Sequence, residues 1–323
     1  MSGSILTSRK LITSIKRRAF IPRSQETFTE DDLLEMATEE VNISLMRQLI
    51  GSRGDYLVYN HDEPLLEDTF RYAIPDRAHG NKLREVTVVD ANGLVQCELS
   101  QVDLDEVRDY QDSFSTVNYS NTFYLQNNEV VLTSSSFNSS GYSLRMSFYL
   151  RPNKLVLDER AATVNSIVDN NDGTTTFSFM TLPRHFTNLL QYDITCCKSP
   201  NKIVNYNLVP VSVNTTLKTI VFNTADIAGV IVGDYVTQAE ETIVPNLPTE
   251  YHPILAQLVA VACLEAMGDE QNKQSAERKL KKMQDDVSFI VANRVEGAHK
   301  KIRNRTGPLR QGLSLNRRNT YRS

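Results

Sequence analysis

Tryptophan is missing altogether, cysteine is reduced to four residues, and neither end of the chain contains an acid. Cys97, Cys196, Cys197 and Cys263 show no C-x-x-C spacing, which excludes a disulfide scaffold and a zinc ribbon; Cys263 falls in an apolar run and reads as a small core residue. His61, His79, His185, His252 and His299 are scattered without zinc-ligand spacing. No apolar run reaches the roughly 18 residues that a membrane span needs. The longest, Ile254 to Leu264 broken by Gln257, reads as a buried helix. An apolar signal core is absent from the N-terminus, so secretion is not expected and the sequons at Asn118, Asn138, Asn214 and Asn304 carry no weight. Residues 4–21 have the acid-free, amphipathic look of a transit peptide, but they run on into Pro22 without a break, which favours a basic arm on a folded domain.

What is present is charge, unevenly placed. Residues 1–25 hold six cations and no acid, and residues 297–323 hold eight cations and no acid. The whole chain carries −4, so residues 26–296 carry −18. An acidic body with basic ends implies two kinds of electrostatic partner.

Helix signals lie at both ends. Leu11, Ile12 and Ile15 stripe a short basic helix, and Thr29 with Asp32 reads as a capping box opening a helix along Leu33, Leu34, Ala37, Val41, Leu45 and Leu49. Near the C-terminus, Thr249 is the expected cap of a helix that stops at Gly268. A second helix, about 269–296, follows on Ala276, Leu280, Met283, Val287, Ile290 and Val295. Between them the texture is β: hairpins are predicted around Asp90-Ala91-Asn92-Gly93, Asn127-Asn128 and Asn170-Asn171-Asp172-Gly173. A short helix is expected over Val102 to Tyr110. The expected fold is α+β: a helical bundle from residues 1–55 and 245–298, a β-sandwich or barrel-like insertion over 56–244, and an extended basic tail at 299–323.

Catalytic readings lose to structural ones. Glu30, Asp31 and Asp32 sit where a helix start favours acids. His61-Asp62-Glu63 reads as a solvated loop, and the serines at 134–136 and 139–140 have no nucleophile elbow. Gly141, Gly229 and Gly233 form no phosphate-binding fingerprint, and Asp234 fits a strand-entry turn. No enzyme activity, metal or cofactor is expected. The tail differs: Leu309, Leu313, Leu315 and Tyr321 alternate with Lys300, Lys301, Arg303, Arg305, Arg310, Arg317 and Arg318, and apolar anchors beside cations suit a segment that folds onto a protein surface.

Four stretches carry a resemblance: Lys16 to Gln25; Tyr72 to Gly80 with Leu83 to Val86; Val232 to Val236; and Pro245 to Pro248 leading into Tyr251 to Leu255 and Glu265 to Asp269. In order and spacing the chain resembles the head-to-tail adaptor (neck or connector) proteins of tailed bacteriophages; Tyr110 to Thr224 carries none of the likeness. The resemblance implies a virion protein of the neck, assembled in the host cytoplasm as a ring, commonly of twelve copies. Its partners would be the portal protein, bound by the tail residues, a tail or stopper protein, its own copies, and DNA passing through the lumen without specific binding. Two other readings compete: a baseplate or fibre-type β-module that binds host surface or carbohydrate, and a hydrolase hidden in the insertion, for which no residue set speaks.

Overall fold

The computed structural model describes residues 6–22, 27–52, 56–105, 121–133, 141–199 and 202–291. The expected bundle with one inserted sandwich needs correction. Strands dominate: seventeen strands form four sheets, against five α-helices among the described residues. The β region also divides into two units with separate cores, so it is not a single sandwich carried by helices.

The helices come first. α1 (Ser8–Arg18) buries Leu11, Ile12 and Ile15, and α2 (Glu30–Glu40) opens on the capping box: the Thr29 hydroxyl accepts from the Asp32 N–H, and the Asp32 carboxylate accepts from the Thr29 N–H. A π-helical turn, Val41–Leu45, carries the chain into α3 (Met46–Ser52).

The first β unit is two four-stranded sheets around one core. One has the order β1 (Val58–Pro64), β8 (Tyr142–Leu150), β3 (Ala78–Asp90), β4 (Val95–Glu98). The other runs β2 (Arg71–Ala73), β7 (Glu129–Leu132), β6 (Thr122–Gln126), β5 (Ser100–Gln101). Val86, Val88, Met146 and Phe148 from the first sheet meet Tyr72, Phe123, Val130 and Leu132 from the second.

The second unit is one seven-stranded sheet. Its order is β13 (Ile203–Leu208), β12 (Tyr192–Thr195), β16 (Tyr235–Gln238), β10 (Ala162–Asp169), β11 (Thr174–Phe179), β15 (Thr219–Asn223), β14 (Ser212–Asn214). Four strand intervals separate β12 from β15, which in a flat sheet is about 19 Å. The rings of Tyr192 and Phe222 on those strands are nevertheless 6.3 Å apart, so the sheet rolls around its own core. The bulge between Val164 and Ser166 lies on the middle strand of this roll.

The unit is entered by β9 (Lys154–Leu155) and left by β17 (Glu241–Thr242), which pair in parallel. The chain then returns to the helices. Thr249 does not cap α4 (His252–Ala266): a 3-10 turn, Thr249–Tyr251, leads into it, with proline in its first turn. α4 is buried on nearly every side, as its long apolar run requires, and Gly268 (φ +71°) stops it. The Asp269 N–H reaches the Leu264 carbonyl and the Gly268 N–H reaches that of Glu265, the paired bonds of a Schellman cap. α5 (Glu270–Val291) lays Ala276, Leu280, Met283 and Val287 against the same core as α1 and α2. Of the expected helix over Val102 to Tyr110, residues 106 onward lie outside the described residues, as does the expected helix end beyond Val291.

Candidate functional site

The tail residues from Lys300 to Tyr321 lie outside the described residues, as do the serines at 134–136 and 139–140. Elsewhere, some of the residues weighed for chemistry have structural work. Asp62 makes a two-pronged ion pair with Arg145 across β1 and β8, at 2.7 Å on each arm. Asp234 is fully buried; its two oxygens accept from the Cys197 and Ile231 N–H groups, both at 2.9 Å, and hold the turn that starts β16. Burial and the adjacent Asp234 raise the Cys197 thiol, while burial alone pushes Cys263 up to about 11. All four cysteines are free thiols. Burial holds the His252 imidazole below its ordinary value, against the pull of its bonds to backbone carbonyls at Leu247 and Pro245. Among the described residues no three His, Cys, Asp or Glu side chains converge in a way that could hold a metal.

The most elaborate polar constellation is a joint between the units. Arg77, in the turn between β2 and β3, is 3% exposed, and Asp193 on β12 is 0% exposed. Both Nη atoms of Arg77 donate to Asp193 Oδ2 at 3.1 Å. The same oxygen accepts from Asn153 Nδ2 at 2.7 Å and from the Glu240 N–H at 3.1 Å, while Oδ1 accepts from the Asn207 N–H at 2.9 Å. Arg77 also donates to the side-chain oxygens of Asn207 and Asn153. Tyr206 lies beneath the guanidinium, 5.7 Å from ring centre to Cζ, and Tyr59 meets Tyr206 edge-on. Asn153 extends the joint toward the helices, because its N–H donates to Asn246, whose carbonyl accepts from Tyr56. Both carboxylate oxygens of Asp193 are committed to these bonds. The group fixes the angle between bodies.

Neither protein-family models nor curated proteins match this chain.

Two features escaped the sequence reading. The joint draws on positions 77, 153, 193, 207 and 240, whose separations show no periodicity. The other lies where α1 ends: a hollow of about 410 Å³ lined by Arg17, Arg18, Phe20, Gln257, Asn272 and Lys279, among others. Its one sequence signal was the basic Lys16-Arg17-Arg18 run. No helix of the described residues is long and apolar enough to cross a membrane.

Proposed function

We propose that this chain is a structural adaptor of a tailed-phage virion: a ring subunit that joins the capsid portal to the tail and lines the channel through which DNA leaves. On this reading its work is geometry and binding, with no chemical step. One observation carries it beyond the sequence resemblance. α1, within the N-terminal basic stretch, and α5, the last described element before the C-terminal one, pack in the same helical core. The stretch between the basic ends carries −18. An acidic wall repels DNA and lets it slide, while cationic, leucine-bearing ends dock on proteins. A ring of identical copies requires head-to-tail contact that closes by rotation.

The test is co-assembly with the portal, imaged by electron microscopy, using the full-length protein beside a version ending at Ala298. The expected result is a closed ring on the portal with the full-length protein alone. Decoration by both versions would remove the tail from docking; decoration by neither would sink the adaptor reading.

A further inference from the structure

Phe20 occupies a position built for glycine. α1 ends with the Ala19 N–H bonded to the Ile15 carbonyl and the Ile21 N–H bonded to that of Lys16. The residue between must take left-handed backbone, and Phe20 does so at φ +56°. Its ring gains no burial in return, since the residue is 73% exposed. A strained aromatic kept in solvent is of no use to the fold, and such strain collects where a surface has a task.

The surroundings of that ring are cationic. Arg17 and Lys279 are exposed, and Arg18 is half-buried at the wall of the hollow. Arg18 is held by neutral partners: Nη1 donates to Gln257 Oε1 at 2.7 Å and Nε to Ser14 Oγ at 3.3 Å. Burial and the neighbouring Arg17 keep its pKa below the usual arginine value, as expected of a cation with no acid beside it. Gln257 is fixed in turn by donating to the Ala276 carbonyl at 3.2 Å. Among the described residues, no acid lines the hollow. Asp269, which caps α5 nearby, spends both its oxygens on Asn272. Further along α1 the character changes, because Arg9 is paired with Glu159. Among the described residues, then, the cations of α1 that face no acid lie at its Phe20 end.

We propose that this cleft binds single-stranded nucleic acid, with Arg17, Arg18 and Lys279 on the phosphates and a base stacked on Phe20. An acidic peptide would engage the cations equally well. An open aromatic ring beside guanidinium groups favours a nucleotide, which offers a flat face and an anion within one unit. The volume falls in the range of about 300–1,000 Å³ typical of small-ligand sites. The inference is independent of the adaptor reading: strand binding in this cleft and portal docking through the tail are separate measurements.

The experiment uses the full-length protein, Phe20→Gly and Arg17→Ala, and follows the fluorescence anisotropy of a labelled oligothymidylate between about 50 and 200 mM salt. A labelled polyglutamate peptide is titrated in parallel. The basic tail is common to all three proteins, so differences report the cleft. Phe20→Gly is expected to weaken oligonucleotide binding roughly tenfold, while its melting temperature stays level or rises because glycine suits the backbone there. Arg17→Ala should lower the slope of log K against log salt by about 0.7, one phosphate contact on a single strand. Equal oligonucleotide affinity across the three proteins would overturn the proposal, placing any binding on the tail. So would a loss confined to polyglutamate, which would assign the cleft to an acidic protein segment.

Discussion

Single residues decide how the units of this protein are held. A salt bridge on the surface contributes little, because water and salt screen it. Breaking a buried pair by removing one partner leaves an uncompensated charge in a dry site. Arg77→Met should therefore cost about 3–5 kcal/mol in urea unfolding, whereas Arg145→Met, which breaks the more exposed pair with Asp62, should cost roughly 1 kcal/mol or less. Equal losses would mean that the joint around Asp193 is ordinary. His252 gives a pH signature. Its folded pKa lies below the 6.5 of the free side chain, so below that pH the unfolded chain takes up more protons. Stability is then full above pH 6.5 and declines as pH falls toward the folded value, by up to about 1.4 kcal/mol per pH unit per proton. His79 and His185 are lowered too and act in the same direction. His252→Gln should remove one proton's share, so its urea midpoint should drop less than the wild type's between pH 7 and 5.5. Matching drops would acquit His252.

At the scale of elements, the local signals that hold are those completed within a few residues. The Thr29–Asp32 box, the Gly268 stop and the turns at Asn127 and Asn171-Gly173 need only residues within a few positions, and each forms as its residues dictate. Gly268→Ala isolates one such signal. An added Cβ there meets nothing within 4 Å, so the cost is backbone strain alone, about 1 kcal/mol. Thermal unfolding of this variant should show a drop of a few degrees at most, and a larger one would point to packing instead. Thr249 shows where local logic fails: proline in the first turn and the buried Tyr251 draw the entrance into a 3-10 turn, and the expected hydroxyl cap is not made. Phe20 fails in the same way, since nothing in an Ala-Phe-Ile sequence announces left-handed backbone.

At the scale of the molecule, the described residues build three large hydrophobic cores and a small cluster at Val156, Ile243 and Val244, with a buried polar joint between the two β units. The sequence by itself determined the charge layout, the helices with strong periodicity and most of the tight turns, because each depends on composition or on neighbours a few residues away. It also overweighted the helices: a sustained 3.6-residue stripe is a louder signal than many short strands, so a mostly β protein read as a bundle with an insertion. Only the tertiary structure decided that the strands split into two bodies and that the seven-stranded sheet rolls until Tyr192 meets Phe222. The same is true of Arg77 finding Asp193, 116 residues away, and of Arg18 finding Gln257. Pairings at such separation are chosen by which surfaces bury one another, and burial belongs to the whole fold, so no window of sequence contains it.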